Sequence, residues 1–359
     1  MKIVIRAGGI GTRLWPYSRK DRAKQFHALV GRRTMLQEAV ERVASLVGPG
    51  ELFVSTGADQ VALVREQLPE LPPEQLIVEP ALRNTGPAVG LECALLEARF
   101  PGCVVASLGS DHYIGRPEEF ARLLRVAEAA LAEAPEALVT IGVRPTRVET
   151  GYGYIRKGAV RLRVGEEAVY RVEEFTEKPD QARARAYLES GRYLWNSNLF
   201  VWRARTVLNL LARFEPEIHQ MLVAVQAAAG TPHQAETIAR LYPRVREVAV
   251  DHALLERYDQ VLALEAEIGW SDIGSWGALS DVLPLDDEGN LCSGNVLTLG
   301  SRQVTAYGPE GKVLVLVDVE NLVVVDTGDA LLVCPRDRTQ RVKDVVAALQ
   351  QDPERRRFI

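Results

Sequence analysis

Short apolar runs alternate with amphipathic stretches along the first 143 residues. KIVIR (2–6), ELFVST (51–56), LIVEP (76–80), CVVASLGSD (103–111) and ALVTIGV (137–143) have strand length and end near turn residues. Between them lie TMLQEAVERVASLV (34–47), ADQVALVREQL (58–68), a stretch from Asn84 to about Phe100, and a charged one from Pro117 to Ala134. These carry helical spacing. The alternation predicts an α/β fold built on a mostly parallel, doubly wound sheet. Ligands of such sheets gather beyond the carboxyl ends of strands. The glycine-rich AGGIG, Glu79 with Pro80, and Ser110 with Asp111 each stand at such an end, so one crevice is expected to collect all three.

The pattern changes near Leu283. PLDDEGNLCSGN (284–295) reads as a turn-rich linker. Five short strand candidates follow, NVLTL, VTAY, KVLVLVDV, NLVVVDT and ALLVCP, and RTQRVKDVVAALQQ (338–351) closes as a helix. We divide the chain into residues 1–282, which hold every chemical motif, and a small β-rich domain at 291–359. The second domain carries no clustered catalytic residues and is expected to serve packing or assembly.

Composition narrows the function. At 359 residues and 47% hydrophobic, the chain can bury a large core. A net charge of −5, with no basic tail, argues against nucleic acid and membrane surfaces as partners. The chain enters a strand at once, without a leader pattern, and no apolar run approaches the ~18 residues of a membrane span. Cys93, Cys103, Cys292 and Cys334 have no CxxC spacing, which suits reduced thiols in the cytoplasm.

The densest chemistry is AGGIGTRLWPYSRKDRAKQF (7–26). Gly8, Gly9 and Gly11 let backbone N–H groups face an anion, while Thr12, Arg13 and Lys24 add a hydroxyl and two cations. The loop lacks the GxxxxGK[ST] of a Walker loop, and Leu14 stands where a dinucleotide fingerprint needs its third glycine. It reads as a triphosphate cradle. A plain strand–helix turn with solvated charges is the alternative. Seven lysines against 36 arginines make arginine the default cation, so a lysine at 24 carries information.

GGIGTRLWPYSR…KQF resembles the opening of the sugar-1-phosphate nucleotidyltransferases, and in particular of the mannose-1-phosphate guanylyltransferases. EPALRNTGPA (79–88), LGSDHYI (108–114), TGYGYI (150–155), FTEKPD (175–180), WNSNLF (195–200) and GWSDIGSW (269–276) follow in that family's order. The resemblance implies a short left-handed β-helix for the tail, with GTP and mannose 1-phosphate as substrates. The charge of that reaction calls for a divalent metal, expected to be magnesium. The short apolar strands of the tail, whose edges need covering, suggest a homodimer. In this sequence Asn198 stands where the family usually has glycine, which leaves sugar selectivity open. Another base or sugar, or a non-catalytic subunit of the same fold, are the competing readings.

The implied reaction needs charge neutralisation more than a base, because a phosphate monoester with a second pKa of about 6 is already largely dianionic. In the resemblance Asp111 and Asp272 hold the metal, and with Arg13 and Lys24 they are the expected catalytic group. Taken alone, either aspartate could equally be a cap. Gly109 joins Asp111 on the nucleotide side. Asn84 and Thr85 open a helix there and Glu79 offers an acceptor for guanine donors, with Asn84 as a plain N-cap the alternative. The resemblance gives Lys178 to the sugar phosphate and Glu177 to sugar hydroxyls, against a solvated pair before Pro179. Gly153 would admit the sugar close to the backbone and Asn196 could bond it. His112 has no role in this chemistry.

Overall fold

The computed structural model describes residues 1–9, 11–309 and 311–359. The first five apolar runs are strands: β1 (Lys2–Ala7), β2 (Leu52–Gly57), β3 (Leu76–Glu79), β4 (Val104–Gly109) and, after the two-residue β5 (Tyr113–Ile114), β6 (Leu138–Val143). Helices α1 (Met35–Ala44), α2 (Val61–Gln67), α3 (Thr85–Arg99) and α4 (Pro117–Glu133) connect them. Local chemistry sets their starts. Thr34 and Gln37 form a reciprocal capping box on α1, and Pro117 occupies the first turn of α4, where no N–H is needed.

The middle of the chain adds β7 (Tyr154–Val164), β8 (Glu167–Thr176), α5 (Gln181–Ser190), β9 (Tyr193–Arg203), α6 (Ala204–Phe214), α7 (Pro216–Ala228), α8 (Gln234–Leu241), β10 (Val261–Ala266), β11 (Trp270–Ser271) and α9 (Trp276–Leu279). Nine strands make one sheet in the order β3-β2-β1-β4-β9-β6-β10-β8-β7. The β3-β2-β1-β4 half is parallel throughout, as is β6 with β10. Separate apolar cores cover its two faces, one including residues of α1 and α4, the other residues of α3, α6 and α7. The α/β, doubly wound expectation holds.

Strand β9 departs from that pattern. It runs antiparallel between β4 and β6, and the pairing jumps from Thr140–Phe200 to Gly142–Asn196. Four residues of β9 therefore span two of β6. Asn198 sits in the bulge with φ +54°, the left-handed conformation that asparagine tolerates and glycine prefers.

Beyond Leu283 come β12 (Leu291–Ser293), β13 (Val296–Leu299), β14 (Thr305–Tyr307), β15 (Leu314–Val317), β16 (Leu322–Asp326), β17 (Leu331–Pro335) and α10 (Val342–Gln351). Strands β12-β14-β16 pair in parallel, and β13-β15 form a second parallel pair, as in the turns of a β-helix. Val304, Ala306, Leu316 and Val324 fill the space between. A further core joins this unit to the glycine-rich loop: Leu14 and Trp15 pack with Ile273, Trp276, Tyr307, Val325 and Val342. Hydrogen bonds lock it, Trp276 Nε1 to Trp15 O at 2.9 Å and Tyr307 Oη to Leu29 O at 3.0 Å.

Trp276 is fully buried at that junction. Trp276→Ala should cost ~3–5 kcal/mol, read as a lower melting temperature and denaturant midpoint. A second test concerns Glu92, which α3 buries completely beneath the sheet. Ser107 Oγ donates to its Oε2 at 2.7 Å, while Oε1 has no hydrogen bond among the described residues. Burial, opposed by nearby Arg6 and by Ser107, pushes its pKa up to about 7. A folded pKa above the unfolded one gives stability present below about pH 4.5 and lost as pH rises through 7. Between pH 4.5 and 8, Glu92→Gln should gain roughly 3 kcal/mol on wild type, from about 1.4 kcal/mol for each pKa unit. Urea titrations at the two pH values check this, and a pH-independent difference would contradict it.

Candidate active site

The carboxyl ends of β1, β3 and β4 open into one cavity of about 770 Å³. Every residue expected on the nucleotide and metal side lines it: Gly8, Gly9, Gly11, Thr12, Arg13, Lys24, Glu79, Asn84, Thr85, Gly109, Asp111 and Asp272. A smaller cavity of about 190 Å³ is lined by Gly153, Glu177, Lys178 and Asn196, the residues expected around the sugar phosphate. The two share His112, Asn198 and Asp272. Residues dispersed over 264 positions thus meet in two adjoining spaces.

Two glycines are required by space. Gly11 has φ +70°, and a Cβ there would stand 2.7 Å from Lys24 Cβ. A Cβ on Gly153 would come within 2.8 Å of Glu177 Oε2. The first lets the loop close over the lysine. The second lets β7 approach Glu177.

Lys24 is 4% exposed, and its ammonium donates to Asp111 Oδ2 at 2.8 Å and to Asp272 O at 2.6 Å. One cation therefore ties the β4 end to the loop after β11. Burial works against the Asp111 charge, but Lys24, helped by His112, outweighs it and holds the pKa at about 2. Asp272 Oδ1 accepts from Tyr152 Oη at 2.7 Å and from Gly274 N at 2.9 Å. Its Oδ2 has no hydrogen bond among the described residues. The sequence suggested Lys24 as a direct triphosphate cation; here it lines the cavity already paired with Asp111. Arg13, exposed on the same loop, has no ion pair or hydrogen bond among the described residues.

Asp111 and Asp272 present hard anionic oxygens, the donor type magnesium takes with one or two carboxylates plus substrate phosphates. No group of three or more His, Cys, Asp or Glu side chains is gathered for a metal among the described residues. A cation held by these two would draw its other ligands from phosphate and water. The donor set fits that arrangement.

Glu79, which also lines the larger cavity, is buried and accepts from Tyr242 Oη at 2.6 Å. Burial raises its pKa, with the Tyr242 bond pulling the other way. Asn84 caps α3, its Oδ1 accepting from Thr85 N at 2.8 Å, so the plain N-cap reading describes its present bond. Thr85 Oγ1 accepts from Val250 N at 2.8 Å. Both line the cavity while holding its wall.

In the smaller cavity Lys178, at φ +44°, pairs with neighbouring Glu177, and both are more than half or about half exposed. The pair expected from the bland reading exists, but it faces the cavity. Asn196 Nδ2 donates to Asp251 Oδ1 at 2.7 Å. Asp251, His252 and Glu256 also line this space, and sequence reading missed them. Asp251 starts a π-helical turn, Asp251–Leu255, a rare element frequent at functional sites. Nothing in the string DHALLE announces that geometry.

His112 lies buried between the cavities, edge-on to Trp270 at 5.4 Å. Desolvation, opposed by Asp111, lowers its pKa, so it is neutral at pH 7. Tyr152 packs edge-on to Trp195 and Trp270 at 5.3 and 5.2 Å. This aromatic floor fixes the Tyr152 hydroxyl that orients Asp272.

Residues 2–288 match the family model of nucleotidyl transferases, and residues 294–349 match that of the MannoseP isomerase/GMP-like β-helix domain. The chain is 39% identical over 352 residues to a mannose-1-phosphate guanylyltransferase of Klebsiella pneumoniae, covering 97% of this chain and 74% of that one. A mannose-1-phosphate guanylyltransferase of Escherichia coli gives the same identity and coverage. A solved structure described as a mannose-1-phosphate geranyltransferase from Thermus thermophilus superposes with a TM-score of 0.86 at 33% identity, covering 97% of this chain and 99% of that one. A glycine-rich loop, two carboxylates and a lysine between them, on a sheet of this order and with these relatives, lead to one conclusion: the chain belongs to the nucleotidyl transferase family.

Proposed function

We propose that this protein transfers GMP from GTP to mannose 1-phosphate, releasing pyrophosphate and forming GDP-mannose. The observation that carries this reading is the junction of the two cavities at Asp272, Asn198 and His112. A nucleotide in the larger space and a sugar phosphate in the smaller one would meet there. A phosphate oxygen of the sugar attacks the α-phosphorus, a new O–P bond forms, and the α–β bond breaks with its electron pair leaving on pyrophosphate. The acceptor is largely dianionic at neutral pH, so no general base is required.

The chain's own residues position and neutralise. Backbone N–H groups of the glycine loop, with Arg13, receive the triphosphate tail. Lys24 holds Asp111 and the Asp272 backbone in register. Glu79, Asn84 and Thr85 line the end suited to the base. Glu177, Lys178, Asn196 and Gly153 surround the sugar and its phosphate. Asp111 and Asp272 would hold a magnesium ion, which when bound supplies positive charge to the phosphates. Residues 1–282 carry the reaction and 291–359 the assembly role, in the cytoplasm, where nucleoside triphosphates are available. Among the described residues no helix is long and apolar enough to cross a membrane, and no membrane or nucleic-acid partner is invoked.

Assembly as a homodimer is part of this proposal. Leu297 and Leu299 on β13 stand beside Val315 and Val317 on β15, all four exposed. Leu331 and Val333 on β17 are exposed as well. An apolar stripe of this kind suits a second copy of the same chain.

Two measurements test these statements. Pyrophosphate release across four nucleoside triphosphates and several hexose 1-phosphates should be fastest for GTP with mannose 1-phosphate. In that assay Asp111→Asn and Asp272→Asn should each lose two to three decades, ~3–4 kcal/mol, with melting temperatures close to wild type. EDTA should abolish wild-type turnover. A preference for UTP, dTTP or ATP would reject the guanylyl assignment, and near-normal turnover in both variants would remove the aspartates from the reaction. Separately, light scattering should give a dimer that Leu299→Glu converts to monomer. A wild-type monomer at micromolar concentration with full activity would refute the assembly role.

A further inference from the structure

The C-terminal domain was expected to carry no part of the chemistry, yet one of its side chains lines the nucleotide cavity. Lys343 stands there with the glycine loop, Arg13, Lys24 and Asp272. Its helix, α10, packs against the turn Thr12–Leu14 that carries Arg13. Val342, 2% exposed in the interdomain core, anchors the first turn of that helix. Lys343 thus lines the cavity from the helix that packs beside the Arg13 turn.

The cations of this cavity divide by partner. Lys24 is paired with Asp111. Arg6 donates to Ser107 Oγ and Asn198 O, and Arg83 to Pro243 O. The side chains of Arg13 and Lys343 are left with no ion pair or hydrogen bond among the described residues, and these two are neighbours through the packing of α10 on the loop. No local bond accounts for Lys343. Nearby Asp344 is paired with Arg341 at 3.3 Å instead. In a chain with seven lysines, this one is exposed and has no ion pair or hydrogen bond among the described residues. The same segment presents Arg336 to a neighbouring cavity of about 510 Å³, which shares Arg13, Asp272 and Gly274 with the nucleotide cavity. The Arg336 guanidinium also lacks a partner among the described residues. The C-terminal domain thus brings two cations without partners among the described residues, Arg336 beside Asp337 and Lys343, to the edges of these cavities.

We propose that Lys343 is a polyphosphate ligand, so that the C-terminal domain completes the nucleotide site by binding the β- and γ-phosphates alongside Arg13. This deepens the guanylyltransferase reading and rests on it for the identity of the nucleotide. An ammonium at hydrogen-bond range of a phosphate makes a charge-assisted bond, and its loss should fall on the phosphates it touches.

The experiment is calorimetric binding of GTP and of GMP to the full chain in saturating Mg²⁺, with wild type, Lys343→Gln and Lys343→Arg, and thermal melts alongside. Lys343→Gln should weaken GTP about tenfold and leave GMP within twofold, because the monophosphate lacks the groups the lysine meets. Lys343→Arg should recover most of the affinity. The melts should coincide, since the side chain is exposed and unpaired. GTP binding within twofold of wild type in Lys343→Gln, or an equal loss for GTP and GMP, would overturn the proposal. A wild-type chain that prefers another triphosphate would fail the guanylyl assignment alone. The same comparison with that triphosphate and its monophosphate would then decide on Lys343. A wild-type chain that binds no nucleotide would reject both.

Discussion

The bond on which this site depends is the buried ammonium of Lys24, held between the carboxylate of Asp111 and the backbone oxygen of Asp272. Two aspartates 161 residues apart would otherwise be free to separate by the repulsion of their charges. A single cation, sealed from water beneath Gly11, draws both segments to one point. Such a pair is costly to desolvate and more costly to break from one side. That asymmetry makes it a positioning device more than a source of stability. It also leaves Asp111 ionised well into acid.

The second constraint is the apolar junction around Trp15 and Trp276. A glycine-rich loop exchanges order for adaptability, since glycine gives up more conformational freedom on folding than any other residue. Here its downstream end is seated in a hydrophobic core shared with the β-helix-like unit. The loop is thereby braced from outside its own sheet. A domain that looks ancillary in sequence holds the downstream end of the loop in place.

Much of this was legible in the residues, for identifiable reasons. The β–α alternation, the capping signal at Asn84 and the strand-end placement of Gly8, Glu79 and Asp111 are local properties, and local properties survive folding. The ordered motifs added Gly153, Lys178 and Asn196 by resemblance. Asp251 and Glu256 escaped because a π-turn has no compositional mark. Lys343 escaped because its meaning lies in packing: in sequence it is a charge on an amphipathic helix, and only the docking of α10 on the Thr12–Leu14 turn turns it toward the cavity. The insertion of β9 between β4 and β6 was hidden for the same reason, since pairing across the sheet is a long-range event.

That strand has one more consequence. Asn196 lines the smaller cavity and Asn198, two residues along the bulge, lines both. Strand β9 is bonded to β4 and β6 along one stretch and to β6 and β7 along the next. The gap between the two cavities is consequently gauged by main chain locked inside a sheet, not by loops that drift. Side chains around either rim can be exchanged to suit a different base or a different sugar while the distance across the bulge stays constant. The spacing of the two cavities is a property inherited by the backbone, and what each could accept is a choice left to the rims.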